Sequence, residues 1–348
     1  MSQTLTQFIK KEALAAGFHL AGVTSPDPPP HLPVFRNWLA SGRNAGMEYL
    51  ATERSIQRRS DPLKILAECR SILVLGFRYP APLHEPTADR SRPRGRIAAY
   101  ARGKDYHLML PDMMDTLVYK LETRLEKPFP YRYYTDSGPI LERELAQRSG
   151  LGWIGKNTCL IHPQYGSYIL LAEILLGIEL EADKPFEADR CGSCTRCVQA
   201  CPTNCILPDR TLDARHCISY LTIEHKGSIP PELMSAMGEH VFGCDICQQV
   251  CPWNGKAFRQ APRPWEDTQQ ALNVDLQEEL KLNPQEFNLK YRETALMRTR
   301  RNRYLRNVLI ALENSGYSDK KREAVRMIMN DKSSLIREQA KRILDKWT

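Results

Sequence analysis

Nowhere in the 348 residues does a run approach the roughly 20 consecutive apolar side chains that a membrane span requires. The longest, Tyr168-Ile-Leu-Leu-Ala, is short and is cut by Glu173, so it reads as a buried strand. Residues Met1 to Glu12 carry no apolar signal core, and a cytoplasmic chain without a membrane partner is expected. A paired disulfide framework is missing too. Of 11 cysteines, eight are taken up by the two runs described below together with Cys217, and Cys69, Cys159 and Cys205 are left over, an odd remainder that suits a reducing compartment. Before Arg298 there is no net charge, with 35 Lys/Arg against 35 Asp/Glu; from Arg298 onward 14 face 6, so the tail holds the whole excess of +8. Such a localised positive field suits a polyanionic partner, or else a solvated helix face.

What is present in strength is cysteine at ligand spacing. Cys191-Gly-Ser-Cys194-Thr-Arg-Cys197-Val-Gln-Ala-Cys201-Pro202 reads C-x-x-C-x-x-C-x-x-x-C-P without a gap, and Cys244-Asp-Ile-Cys247-Gln-Gln-Val-Cys251-Pro252 repeats it without its first cysteine. Cys217 is the natural substitute, which makes eight thiolates, enough for two [4Fe-4S] clusters. By the crossed rule of two-cluster ferredoxins, one cluster takes Cys191, Cys194, Cys197 and Cys251, and the other Cys201, Cys217, Cys244 and Cys247. Structural zinc would ask for two C-x-x-C knuckles and gives no reason for a third ligand followed by Cys-Pro, twice. Cys205 is expected to be a bystander in a small buried slot.

The length suits roughly two domains, and the patterns divide the chain into a mixed α/β segment over 1–185, a ferredoxin-like segment over 186–260 and a connector with helices over 261–348. In the first, helices are expected over Thr4–Gly17, Phe35–Ala40, Met47–Leu50, Tyr106–Glu126 and Ile140–Ser149, and strands at His19–Val23, Ser71–Phe77, Tyr131–Tyr134, Cys159–Ile161 and Ser167–Leu176. Arg90 to Lys104 reads as an irregular basic loop, and Ala261-Pro-Arg-Pro-Trp as a connector. Three helical stripes near Tyr304, Arg322 and Leu335 resemble the end of a HEAT-like array.

Two motifs invite a ligand. Gly150-Leu-Gly152-Trp-Ile-Gly155-Lys156-Asn157 matches G-x-G-x-x-G but follows a helix and precedes a strand, the reverse of a dinucleotide site. Asn157 also stands where a phosphate-binding loop needs Ser or Thr. It reads as a glycine loop closely approaching a ligand, with Lys156 as an anion contact, or as a plain turn. Asp136, between a strand and Gly138-Pro139, is by residue chemistry a turn or cap carboxylate; a catalytic acid would need burial to raise its pKa. His107 is likewise a helix-start histidine or a ligand contact.

Taken together, Tyr100-Ala-Arg-Gly-Lys-Asp-Tyr-His107, Tyr134-Thr-Asp136-Ser-Gly-Pro, the Gly150-to-Thr158 loop, the two Cys-Pro runs and the basic helical tail resemble, in order and over nearly the whole chain, the epoxyqueuosine reductase family. That resemblance implies a nitroreductase-like cobalamin-binding domain, kinship with reductive dehalogenases, and reduction of epoxyqueuosine to queuosine at the tRNA wobble position with loss of water. It implies cobalamin beside two [4Fe-4S] clusters. The D-x-H-x-x-G signature is absent, since Leu110 stands where its glycine would be, and a base-off corrinoid without a ligand from that motif is expected. It further implies Asp136 as proton donor with Arg143 as its partner or as a substrate contact, and Arg59, Tyr100, His107, Lys156, Asn157 and Thr158 as cofactor or pocket residues. Arg298, Arg300, Arg301 and Arg303 are expected on tRNA, an external low-potential donor as electron source, and a monomer. The alternatives are a cobalamin reductase of a small molecule and a two-cluster electron carrier without catalysis.

Overall fold

The computed structural model describes residues 4–81, 93–257 and 273–348. In the first segment, helix α1 (Leu5–Ala15) opens on a Thr4–Gln7 capping box and ends at Gly17, whose φ of 103° is the left-handed stop that glycine supplies. Strand β1 (Leu20–Thr24), helices α2 (Leu32–Ala40) and α3 (Glu53–Ser60), and strand β2 (Ser71–Arg78) follow. After β3 (Arg94–Ile97) come the long α4 (Tyr106–Leu125), β4 (Tyr131–Tyr134), α5 (Glu142–Arg148), the two-residue strands β5 (Trp153–Ile154) and β6 (Leu160–Ile161), and β7 (Ile169–Leu176).

These strands form an antiparallel sheet in the order β1-β2-β7-β4. A strand-to-helix junction in a parallel α/β sheet is therefore not what positions Asp136; an antiparallel edge strand does. β2 is buried along its length, as a central strand covered on both faces must be. One face packs on α1 and α4 through Ile9, Leu110, Met114 and Leu117, the other on α5 through Leu145 and Ala146.

The cluster segment is mostly turns, with short helices α6 (Arg196–Ala200), α7 (Ile218–Ile223), α8 (Pro231–Met234), α9 (Ile246–Gln249) and α10 (Pro252–Ala257) and strand β8 (His240–Phe242). Beyond it lie β9 (Asn273–Asp275), α11 (Leu276–Leu280), α12 (Pro284–Tyr291), α13 (Arg300–Asn314), α14 (Asp319–Met327) and α15 (Ser334–Lys346). The expected irregular basic loop is structured in its described part: β3 pairs with β8 on one side and β9 on the other. The expected Pro-rich connector at 261–265 lies outside the described residues. Each of the three segments thus gives one strand to a common sheet, and one core joins Ile97, Phe242 and the helices of the tail. Among the described residues, no helix is long and apolar enough to cross a membrane.

α13 is buried from Tyr304 to Leu312 whatever the face, so it is the central helix of the tail. Two of its polar residues carry the docking. Arg306, 0% exposed, donates to the carbonyls of Leu221, His225 and Gly227 and to Asn307 Oδ1. Asn307 donates to the carbonyls of Thr222 and Val241 at 2.8 and 2.9 Å. Replacing Arg306 by Ala leaves several buried carbonyls unpaired, and a loss of at least ~3 kcal/mol is expected. The exposed Arg326–Glu323 pair at 3.8 Å serves as the control, with Arg326→Ala costing under ~0.5 kcal/mol. Urea unfolding of the two variants followed by fluorescence checks the contrast.

Candidate active site and cluster centres

Strand β4 ends at Tyr134, the hydroxyl of the following Thr135 donates to the Leu171 carbonyl, and the next residue turns sharply: Asp136 has φ 58°. A non-glycine residue held there is strained, and such strain gathers at functional sites. Its side chain caps no helix. Instead Tyr106 Oη donates to Asp136 Oδ2 at 2.7 Å, and His107 Nε2 lies 3.4 Å from the same oxygen. His107 Nδ1 meets Asp105 Oδ1 at 2.8 Å, and Asp105 caps α4, which fixes the imidazole. The backbone N–H of Asp136 donates to Glu142. Arg59 holds the following loop by donating to the Gly138 carbonyl at 3.1 Å.

The Asp136 side chain is 58% accessible although protein surrounds it, the condition of a residue on a cleft floor. Burial alone would raise its pKa, but the bonds from His107 and Tyr106 outweigh it and hold Asp136 below the usual carboxylate range. His107 is raised: its own burial opposes the charge, and Asp105 and Asp136 prevail. Glu142 is pushed up to about 8 by burial and by the Asp136 charge. Tyr100 lies 6.1 Å from the Tyr106 ring, and Tyr49, 57% exposed, and Arg298 from the tail lie within electrostatic range of Asp136. The cleft is therefore bounded by the first segment and by the start of the basic tail.

Several expected contacts differ. Arg143 does not pair with Asp136; it donates to the Thr158 carbonyl. Lys156 is no anion contact, since its Nζ donates to the carbonyls of Gly192 and Cys194 at 2.7 and 3.0 Å and fastens the first cysteine loop. The glycines of the loop approach protein and not ligand: a Cβ on Gly152 would stand 2.2 Å from the Ile161 carbonyl, and one on Gly155 would strike Ile161. Thr158 has φ 63°, and Asn157 Oδ1 accepts from the Cys159 N–H while its buried Nδ2 has no partner among the described residues. Arg301 pairs with Asp331 at 2.7 Å and Arg303 donates to the carbonyls of Ile223 and Glu224, so both are engaged internally; Arg298 and Arg300 are exposed.

Among the described residues no three His, Cys, Asp or Glu side chains converge tightly enough to hold a single metal ion. The eight run cysteines fall into two groups. Cys251 lies within electrostatic range of Cys191 and Cys197, and Cys197 of Cys191 and Cys194. Cys244 lies in range of Cys217 and Cys201, and Cys247 of Cys244 and Cys217. Four thiols in each of two places fit a pair of iron–sulfur cubes.

The chain also supplies partners that spacing did not reveal. Trp153 Nε1 donates to Cys191 Sγ at 3.4 Å, beneath a wall made with Phe186 and Trp253. Cys205 is no bystander: its Sγ is 3.4 Å from Cys201 Sγ and it bonds to Cys217. The Cys159 thiol stands within hydrogen-bonding reach of the Cys247 thiol, so the second group reaches the Asn157–Thr158 loop. The sequence marked Cys159 and Cys205 only as leftovers, and nothing in it paired Trp153 with a thiol.

Residues 190–254 match a family described as 4Fe-4S double cluster binding domain, and residues 59–137 one described as epoxyqueuosine reductase QueG, DUF1730. The chain is 36% identical to the epoxyqueuosine reductase of Vibrio cholerae over 91% of this chain and 85% of that one. It is also 36% identical to that of Xanthomonas campestris, over 95% and 92%. Among solved structures, an epoxyqueuosine reductase with a tRNA-Tyr epoxyqueuosine-modified tRNA stem loop superposes with a TM-score of 0.90 at 29% identity, covering 98% of this chain and 90% of that one. The Bacillus subtilis enzyme, with its catalytic aspartate loop swung out of the active site, gives 0.88 at 30% identity over 98% and 90%.

Donors to a cluster thiolate stabilise its more negative, reduced form. Trp153→Phe should therefore lower the potential of the first cluster by some tens of mV, at ~59 mV per 1.4 kcal/mol for one electron, and leave the second unchanged. A redox titration followed by electron paramagnetic resonance reads both.

Proposed function

The chain belongs to the epoxyqueuosine reductase family, and from that membership we propose that it reduces epoxyqueuosine at the wobble position of a tRNA to queuosine, with Asp136 as the proton donor. The observation that carries this reading is the Asp136 site itself: a strained carboxylate on a cleft floor, held by Tyr106 and His107, beside a loop that leads to the second group of thiols.

The cysteines would hold two [4Fe-4S] clusters in the crossed sets, Cys191, Cys194, Cys197 and Cys251 for one and Cys201, Cys217, Cys244 and Cys247 for the other. For cobalamin the supporting observation lies in the Asn157–Thr158 loop: the buried Asn157 amide nitrogen lacks a partner among the described residues where the loop meets Cys159. Asn157 and Thr158 would hold the corrinoid, with Tyr100 lining the pocket. His107 turns its two nitrogens to Asp105 and Asp136, in keeping with a corrinoid bound without a histidine ligand from that motif. Bound there, cobalamin supplies reduced cobalt, and the clusters supply single electrons from an external low-potential donor.

The protein's own part is positional and protonic. Tyr106 and His107 aim Asp136 Oδ2 into the cleft; Arg59 sets the loop that follows; Arg143, through the Thr158 carbonyl, ties α5 to the cofactor loop. Asp136 gives a proton to the departing epoxide oxygen, which leaves as water. A nucleobase must be splayed out of its loop to reach such a floor, and the exposed Tyr49, Arg298 and Arg300 at the rim suit its ring and phosphates.

Replacing Asp136 by Asn should lower the single-turnover rate by ~10²–10⁴-fold with the cluster spectra intact. Nucleoside analysis of the tRNA measures it, and an unchanged rate removes the acid role. Charge reversal at Arg298 and Arg300 should weaken tRNA binding and reduce its salt dependence by about one contact each. Reversal at Arg301 or Arg303 should instead destabilise the fold. Filter binding over a salt series separates the two effects.

A further inference from the structure

Removing an epoxide oxygen as water takes up two electrons and two protons, yet in the resting site the partners of Asp136 favour its ionised form. Two other carboxyl groups lie close by. Glu142 accepts the N–H of Asp136. Glu173, 0% exposed, sits in the middle of β7 opposite Val74 of β2 and Tyr134 of β4, two residues short of Asp136. Its neighbours on that face, Leu171 and Leu175, form an apolar layer with Leu145 and Ala146 of α5, the helix that Glu142 begins.

Neither carboxyl oxygen of Glu173 has a hydrogen-bond partner among the described residues. Charge without a partner in such a layer is far more costly than the neutral acid, and native interiors rarely leave a carboxyl so placed without a use for it. Burial first, then the charges of Glu142 and Asp136, push Glu173 well above the ordinary carboxyl range. The groups bearing on Glu142 are Asp136, whose charge raises it, and Arg143 and His107, which with the Asp136 N–H oppose that rise.

We propose that Glu142 and Glu173 form a two-proton store behind Asp136, with Glu142 passing protons to Asp136 and Glu173 refilling Glu142 from within the sheet. This rests on the reaction proposed above. The O–H bond of Glu142 breaks as one forms on Asp136, which gives that proton to the epoxide oxygen as the ring C–O bond breaks. Glu173 then reprotonates Glu142, and a second passage through Asp136 protonates the hydroxyl so formed as the second C–O bond breaks and water departs. The two electrons enter from the external one-electron donor, and the emptied carboxylates recover two protons from solvent through the cleft.

The sign of the pH effect follows. The folded pKa of Glu142, about 8, lies above its ordinary 4.5, so the stability its neutral form contributes is complete below 4.5 and falls away as pH rises to about 8, where the folded group itself loses its proton. The single-turnover rate should be level below that region and fall across it.

Holoenzyme with clusters and cobalamin, wild type and Glu173→Gln, should be compared by two readouts. In infrared spectra at neutral pH, the protonated-carboxyl stretch of wild type should lose one component in Glu173→Gln. In single turnover under weak buffering with a pH indicator, queuosine should form ahead of proton uptake by wild type. In Glu173→Gln half of the uptake should become simultaneous with product, with the rate down at least ~10-fold. No lost carboxyl component, or an unchanged lag, overturns the proposal. Should Glu173→Gln not assemble, Glu142→Gln at the cleft carries the same two readouts. Absence of queuosine from wild type would instead overturn the parent reaction, while the infrared result still decides whether Glu173 holds a proton.

Discussion

The buried guanidinium of Arg306 is the contact on which the layout of the molecule most depends. It reaches carbonyls at the end of α7 and in the turn after it, and Asn307 beside it takes one carbonyl from α7 and one from β8. Those two elements begin and end at cluster cysteines: Cys217 precedes α7, and Cys244 follows β8 by two residues. Thr222 of α7 accepts the Gly243 N–H through its hydroxyl, and the Phe242 carbonyl accepts the Ala98 N–H after β3. One helix of the tail therefore fixes where the second group of thiols stands relative to Tyr100 and the Asp136 cleft. Hydrogen bonds to a buried charge are strong enough to hold such a turn-rich segment in place.

The cleft resolves a conflict that a single acid cannot. A proton donor must hold a proton at working pH, which burial favours, while a carboxylate aimed with precision needs donors around it, which lower its pKa. At Asp136 the donors prevail, and the Tyr106 and His107 bonds that aim it also tend to empty it. The neighbouring Glu142 and Glu173 have the opposite balance, few donors and much burial. Dividing aim and proton content among different carboxyls lets each be set by its own surroundings.

How much of this was legible follows from the range of the interactions concerned. The double-cluster domain could be read because ligand spacing is local, and helices such as α1 and α4 because caps and apolar stripes are local too. Glu173 was visible as the charge that cuts the apolar run, though its lack of a partner was not. Lys156 and the glycine loop were misread because their contacts, the Gly192 and Cys194 carbonyls and Ile161, come from other stretches of chain. The order of the strands was out of reach for a similar reason: strand and helix alternate in sequence, but β7 returns between β2 and β4 with reversed direction, which no single segment encodes.

The basic tail shows why a charge count is a weak guide to a binding face. Its excess of +8 suited a polyanionic partner or else a solvated helix face. In the fold, Arg306 binds carbonyls, Arg303 does the same, Arg301 pairs with Asp331, and Arg342 and Lys346 share Glu313. Much of the charge is thus consumed in holding the tail to itself and to the cluster segment. Arg298 and Arg300, immediately before and at the start of α13, stay exposed. The charge of Arg298 bears on Asp136, so in the proposed reaction docking of an anionic strand and delivery of its base to the acid would be one geometric event.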